Sequence, residues 1–163
     1  MLNAVARSQK IARTPVLMAD GGEKPIESIR VGEAVLAWNE ATKTPFPSRV
    51  VSALHHEEKM QTLFDIELED GRRFTVNNDH PMYVLEDNDF TFTDELAARF
   101  AKGKSVTFLD SKNNPVKIAS VQMRRENCKM YNLHVEGEGT NGHTYYAAGI
   151  LVHNNHGSGY KWK

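Results

Sequence analysis

Apolar and polar residues alternate with a period of two in several short segments of the chain. This alternation is typical of half-buried β-strands, because successive side chains of a strand point to opposite faces of the sheet. The segments are VLAW at 35–38, RVVSALHH at 49–56, LFDIELED at 63–70, RFTVNN at 73–78 and KIASVQM at 117–123. Asp70-Gly71 predicts a hairpin, since Asp-Gly readily supplies the positive φ of a tight turn. The close spacing of the strands predicts an antiparallel all-β domain rather than βαβ units.

A single segment has the pattern of a helix, FTDELAARFAKGK at 92–104. Its apolar residues fall on one face, and either Thr93 or Asp94 is predicted to cap its N-terminus. Gly103 is predicted to end it. The expected fold class is therefore all-β with one short helix.

Composition limits the classes of function. A chain of 163 residues, with 40% apolar and 25% charged residues, fits one globular domain. The net charge of -1 gives no global field that would favour nucleic acid or an anionic membrane. With Cys128 as the only cysteine, an intramolecular disulfide and a multi-cysteine zinc site are excluded. Neither a membrane-spanning apolar run nor an N-terminal signal segment is visible.

Three of the seven histidines stand in distinctive settings: His80 in NNDHP, His143 in TNGHTYY and His153 in LVHNN. Taken singly, a histidine beside a turn is more often structural than catalytic. The His153-Asn154 pair changes this interpretation, because an asparagine amide can attack its own backbone carbonyl and release the downstream chain. A neighbouring histidine would accelerate that slow reaction by ~10²-fold to 10⁴-fold.

The chain resembles the Hint domains, which are shared by inteins, hedgehog autoprocessing domains and bacterial intein-like domains. The resemblance runs from about Arg13 to Asn154. Its blocks, in chain order, are TPVLMADGGEKPIESIRVGEAVLAWNEAT, FTVNNDHPMYV, MYNLHV and GHTYYAAGILVHN. Four ordered matches that end in Val-His-Asn are more specific than any single block. The resemblance implies a horseshoe-shaped β fold of the Hint type, closest to the bacterial intein-like domains.

By this resemblance, Asn154 is the terminal asparagine that cyclises to a succinimide and breaks the bond to Asn155. His153 is the penultimate histidine that assists it, and His143 matches a second histidine that supports the same step. His80 resembles the histidine that strains and polarises the upstream scissile amide.

The upstream nucleophile departs from the family pattern. A family member begins with Cys or Ser, whose side chain converts the preceding amide into a thioester or ester. The expected position falls on Gln9, which cannot act in this way, and Ser8 lies one residue earlier. A third alternative is Ala4, taken as the replacement of a natural cysteine. We favour Ala4 slightly over Ser8, so that the first step is inactivated in this chain.

Other departures concern the neighbouring residues. Asn77 stands three residues before His80, where the family usually has Thr, and Thr75 is close by. Asn132 stands where many inteins have an Asp or Cys that couples the two cleavage steps. Asn155 replaces the Cys, Ser or Thr that accepts the upstream segment in splicing, which favours cleavage or an unusual ligation.

The resemblance divides the chain into an upstream flank at 1–3, the domain at 4–154 and a downstream flank at 155–163. We expect a single-turnover autoprocessing element that acts on its own flanking segments and uses no cofactor and no metal. The short segment between His80 and Asn132 has no room for an endonuclease, so we expect no nucleic acid partner. We also expect no membrane partner, and we expect the chain to be a monomer.

Two alternatives belong to other classes of function. His55-His56, with Glu57, and the His153-x-x-His156 spacing could together offer ligands to a metal. A β-rich binding module without activity is the second alternative, in which His153-Asn154 is only a turn. Zinc titration would test the first alternative, and replacement of Asn154 would test the second.

Overall fold

A computed structural model describes residues 14–78, 80–136 and 143–153, without the side chains of Leu54 and His56. Within these residues the chain forms eleven β-strands, one α-helix and a 3-10 turn at Ile26–Ser28. The helix, α1, comprises Thr93–Ala101. The strands, in chain order, are β1 (Pro15–Leu17), β2 (Glu23–Pro25), β3 (Ala34–Asn39), β4 (Thr44–Leu68), β5 (Arg73–Asn77), β6 (Pro81–Val84), β7 (Asp89–Phe92), β8 (Thr107–Leu109), β9 (Pro115–Val135), β10 (Thr144–Ala147) and β11 (Ile150–His153).

The strands form an antiparallel arrangement, so the prediction of an all-β body with one short helix is confirmed. Their order is β2-β1-β10-β11-β6-β8-β9-β4-β3, with β5 on β4 and β7 on β6. The C-terminal hairpin of β10 and β11 is therefore enclosed between β1 and β6. No helix among the described residues has the length and hydropathy that a bilayer span requires.

The longest element is a ribbon of β4 and β9, whose register runs from Val50 opposite Val135 to Leu68 opposite Ile118. The strands predicted at 49–56 and 63–70 are thus parts of one strand of 25 residues. Charged residues at 57–59 interrupt the apolar alternation, and the sequence pattern therefore predicts two strands where the structure has one. A register shift between His56 and Lys59 keeps this stretch within the ladder, as a β-bulge does.

The predicted turns agree with the structure, but the predicted helix cap does not. Gly71, between β4 and β5, has a φ of 95°, and Gly103 has a φ of 82° just beyond α1. The N-cap of α1 is Phe92, which makes no side-chain capping bond. The prediction of Thr93 or Asp94 as the cap is wrong, because Thr93 is already helical and its hydroxyl donates to the carbonyl of His80 instead.

Three groups of buried apolar residues make up the core. The largest joins β1, β3, β4, β6, β8, β9, β10 and β11 and includes Val16, Val35, Phe108, Leu133, Tyr145 and Ile150. The second consists of Trp38, Tyr83, Leu109, Tyr146 and Leu151. The third, smaller group is Leu63, Cys128 and Met130 on the ribbon. Each large apolar side chain buried in this way contributes roughly 1.5–3 kcal/mol.

Candidate active site

Two of the histidines singled out in the sequence lie side by side at one end of the C-terminal hairpin. His153 is the last residue of β11, and its register partner is Thr144, the residue after His143. The antiparallel pairing thus brings the two histidines together, with their ring centroids 6.0 Å apart and their planes at 34°. The chain continues from His153 directly into Asn154.

His153 is buried, with only 5% of its surface exposed. Its pKa is lowered to about 3, mainly by burial and to a smaller extent by the nearby imidazoles of His143 and His80. The edge of its ring also contacts the ring of Phe90, with centroids 5.0 Å apart. The imidazole of His153 is therefore neutral at physiological pH.

His80 lies in the loop between β5 and β6, and burial lowers its pKa to about 4. Its backbone carbonyl accepts hydrogen bonds from the hydroxyl of Thr93 at 2.6 Å and from the Thr93 N–H at 3.2 Å. The first residue of α1 thus fixes the backbone of His80. His80 is also one of the groups that lower the pKa of His153.

Thr75 and Asn77 lie on the same face of β5, opposite Asp65 and Leu63 of β4. The Thr75 hydroxyl donates to the Asp65 carboxylate at 2.6 Å. Arg124 of β9 binds the same carboxylate through two nitrogens, at 2.6 and 3.2 Å. The contacts of Thr75 thus belong to an ion-pair cluster on the ribbon, and the roles of Thr75 and Asn77 at an upstream scissile bond stay predictions.

Asn132 of β9 is buried, and its side-chain oxygen accepts two hydrogen bonds. The donors are the Leu133 N–H at 2.9 Å and the Tyr145 hydroxyl at 2.8 Å. Burial raises the pKa of Tyr145, which keeps the hydroxyl protonated as a donor. Asn132 therefore joins β9 to β10; its proposed role in coupling the two cleavage steps stays a prediction.

His134 was not among the residues selected from the sequence. It lies on β9, and its ring is 5.4 Å from that of His143, with the planes at 33°. The signal in the sequence was its position two residues after Asn132, which places both side chains on the same face of a strand. Its chain neighbours, Leu133 and Val135, are core residues. His134 therefore has no adjacent polar or turn residues, unlike His80, His143 and His153.

Several predicted residues lie outside the part of the chain that the structure describes. These are Ala4, Ser8, Gln9, Asn154 and Asn155. Among the described residues, no group of three or more His, Cys, Asp or Glu side chains is arranged to hold a metal ion. The metal alternative also involves His56 and His156. The side chain of His56 and the whole of His156 lie outside the described part of the chain.

Cys128 is buried in the small group on the ribbon, with its sulfur 4.0 Å from that of Met130. Burial raises its pKa, so the thiolate is disfavoured. This environment is that of a small buried side chain rather than of a nucleophile.

The family model of the Hint module matches residues 11–132, which is more than half of the chain. A comparison with curated protein sequences gave no match. Among solved structures, the chain is similar to a bacterial intein-like domain from Clostridium thermocellum, at 27% identity and a TM-score of 0.73, covering 88% of this chain and 96% of that one. It is also similar to a DnaB intein from Synechocystis sp. PCC 6803, at 16% identity and a TM-score of 0.70, with the same coverage of both chains.

These likenesses confirm the expected fold, and the fold supports self-processing in general. The match of the family model runs from β1 to near the end of β9, and the structural matches cover most of the chain. The chain belongs to the Hint module family.

Proposed function

We propose that the chain cleaves its own backbone between Asn154 and Asn155 by cyclisation of Asn154. One observation supports this most: His143 and a buried, neutral His153 are held together by the β10–β11 register, immediately before Asn154 in the chain. Membership in the Hint family supports self-processing as the general class of activity. The domain that acts is then 4–154, and its substrates are its own flanks.

The proposed step conserves atoms without an oxidant or a cofactor. The Asn154 side-chain nitrogen attacks the Asn154 carbonyl carbon, and a five-membered ring closes. The bond from that carbon to the Asn155 nitrogen breaks, and a proton moves from the attacking nitrogen to the departing amine. Because Asn155 has neither a hydroxyl nor a thiol, it cannot accept an acyl group by transesterification. We therefore propose cleavage rather than ordinary splicing.

The low pKa of His153 restricts its part in this step. A histidine with a pKa of about 3 carries almost no positive charge at pH 7, so it is a poor donor of a full proton. A neutral imidazole N–H can still donate a hydrogen bond to a carbonyl oxygen and stabilise the negative charge that develops there. We assign this role to His153, and we assign proton transfer to the departing amine to His143.

At the upstream end, we propose that His80 polarises the scissile amide in the same neutral form. Its pKa of about 4 supports an uncharged ring, and the two hydrogen bonds from Thr93 to its carbonyl hold its backbone in place. Asn77 and Thr75 are proposed to assist it. We place the missing nucleophile at Ala4, with Ser8 and Gln9 as the alternative registers.

Intact mass followed over time at neutral pH tests the downstream step. The expected result is release of residues 155–163, with two products whose masses add up to that of the parent chain. Cyclisation adds no water until the succinimide opens, whereas hydrolysis adds one water molecule at once. The Asn154→Ala chain should stay intact, because it has no attacking amide. Equal release from the parent chain and from Asn154→Ala would contradict the proposal.

The upstream step is tested with an Ala4→Cys chain in the presence of dithiothreitol or hydroxylamine. If Ala4 marks the nucleophile, this chain should lose residues 1–3 as a thiol or hydroxamate adduct. A Gln9→Cys chain is the matched control for the register. Reaction of the Gln9→Cys chain alone would move the nucleophile to position 9 and would contradict the assignment to Ala4.

A further inference from the structure

Three histidine rings form a row that crosses from the ribbon to the C-terminal hairpin. His134 of β9 lies 5.4 Å from His143, and His143 lies 6.0 Å from His153. The ring planes of the two pairs are tilted by 33° and 34°, between parallel and perpendicular. His143 is therefore in contact with two other histidine rings.

His134, at one end of this row, lies on β9 where that strand is paired with β4. His134 is opposite Ser52 in the β4–β9 ladder, and Asn132 is opposite Leu54. His143, in contrast, comes directly before the first residue of β10. The contact thus links a histidine at the edge of the hairpin to one within the longest ladder of the fold.

A second contact fixes the register between the two segments. The Tyr145 hydroxyl donates to Asn132 at 2.8 Å, and both residues are buried. Tyr145 is two residues after His143, and Asn132 is two residues before His134. The His134–His143 and Asn132–Tyr145 contacts therefore have the spacing of successive same-face pairs in two antiparallel strands. The main chains of β9 and β10 are nevertheless not paired there; each pairs with other strands.

From this geometry we infer that His134 is a positioning residue, which holds the ring of His143 in place for proton transfer at the downstream bond. The inference rests on the proposed cleavage after Asn154. His134 contacts no reacting group in this scheme, and it acts only through His143. Because a misplacement of about 1 Å can slow a reaction by about 10²-fold, removal of the flat ring should matter even at this distance from the bond.

The experiment compares His134→Leu with His134→Phe in the full chain. Leucine has a similar volume but no flat ring, whereas phenylalanine restores the ring without a titrating nitrogen. We expect His134→Leu to slow the release of residues 155–163 by about 10-fold to 10²-fold, and His134→Phe to recover most of the rate. The ring-proton signals of His143, followed by NMR, should move in the leucine chain because the ring-current effect of its neighbour is lost.

Two further variants separate this role from general stability. His55→Leu is the matched control, since His55 is also on the ribbon and its ring also contacts an aromatic ring, Tyr131, at 6.1 Å. It should change neither the release rate nor the signals of His143. Tyr145→Phe removes the hydrogen bond to Asn132 but keeps the ring, and should slow release by about 3-fold to 10-fold.

The outcomes distinguish this inference from the proposed function. If His134→Leu leaves the signals of His143 or the release rate as in the parent chain, the inference is wrong, even where Asn154→Ala shows the proposed cleavage to be correct. Equal slowing by His134→Leu, His134→Phe and His55→Leu would also overturn it, because that pattern indicates a loss of stability. If no chain releases 155–163, the parent included, the proposed function fails, and the role of His134 fails with it.

Discussion

At the scale of single residues, the buried His153 and the half-buried His80, both with lowered pKa values, are the unusual feature of the site. Their pKa values are lowered to about 3 and about 4, because the charged form would lose its hydration. Most histidines on a protein surface change charge near pH 6.5. These two stay neutral through that range, so they can act as hydrogen-bond donors but not as stores of protons.

The low pKa of His153 predicts a loss of stability in mild acid. Between pH 6.5 and about 3 the unfolded chain binds a proton at this residue and the folded chain does not, so the free energy of unfolding falls as the pH falls. The slope is up to about 1.4 kcal/mol per pH unit for each such histidine. Urea unfolding of the parent and of His153→Gln between pH 7 and 5 should show a smaller slope in the variant.

His55→Gln provides the control for this measurement, because His55 is exposed on the ribbon. Carboxylates interfere little in the chosen range. The pKa values of Glu33, Asp70 and Asp87 are lowered by hydrogen bonds from basic side chains, so their effect on stability begins at a lower pH. Identical slopes for the parent and His153→Gln would show that His153 is not a buried neutral residue.

At the scale of elements, the β10–β11 hairpin closes with a two-residue turn, and its register brings together the two histidines proposed for the downstream step. Ala147 and Ile150 are paired, and Ala148 and Gly149 between them have φ values of 54° and 78°. Two consecutive positive φ values are typical of the type I′ turn, whose twist suits a two-residue hairpin. The turn determines the register that places His143 beside His153.

The two turn residues should respond to substitution in opposite directions. Gly149→Ala places a side chain at positive φ, and its Cβ would lie 2.7 Å from Nη1 of Arg72. The guanidinium of Arg72 is held through its other terminal nitrogen, Nη2, by Asp70 and Asp110. We expect a loss of about 1–3 kcal/mol in the free energy of unfolding. Ala148→Gly relieves the strain of a non-glycine residue at positive φ and should be neutral or stabilising by up to about 1 kcal/mol.

Chemical denaturation of both variants and the parent measures this difference. The comparison is internal, because the two changes lie next to each other in one turn. A loss of stability in Ala148→Gly equal to that in Gly149→Ala would contradict the turn geometry.

At the scale of the whole molecule, one buried hydrogen bond joins the N-terminal part of the chain to its C-terminal hairpin. The backbone N–H of Trp38 in β3 donates to the Thr144 hydroxyl of β10 at 2.9 Å, across 106 residues of sequence. Trp38 and Thr144 are both fully buried. Thr144 also pairs with His153, so the same residue ties the site to the core.

Thr144→Val keeps the shape of the side chain but leaves the Trp38 N–H without its acceptor. An unsatisfied buried donor costs about 1–3 kcal/mol, so the free energy of unfolding should fall by about that amount. Thr144→Ser keeps the hydroxyl and is the matched control, with a smaller loss from the missing methyl group. Guanidinium unfolding compares the three chains, and equal losses in the two variants would show that the hydrogen bond contributes little.

The sequence predicted local features where a local physical rule applies. Alternation identified the strands because pleating requires it, and Asp70-Gly71 identified the β4–β5 hairpin because few residues tolerate positive φ. The same reasoning divided β4 into two strands, because the charged stretch at 57–59 hides the bulge within a continuous ladder. It also misplaced the helix cap, since the partner of Thr93 is the carbonyl of His80, thirteen residues away.

The candidate histidines followed from the resemblance to Hint domains, which the family model and the solved structures confirm. Their physical state did not follow from it. A depressed pKa depends on burial and on neighbouring charges, and for His153 these come from different segments of the chain. Thr75 illustrates the same limit, because its partner Asp65 was visible only once β5 was paired with β4.

By itself, then, the sequence determined the all-β class and the turns, because these depend on local conformational preference. Side-chain chemistry and the family resemblance pointed to the residues proposed for asparagine cyclisation. Only the tertiary structure decided which side chains meet. The row from His134 to His153, the Asn132–Tyr145 hydrogen bond and the bond from Trp38 to Thr144 all join distant segments. Such contacts depend on strand order and register, which arise from packing the whole core together.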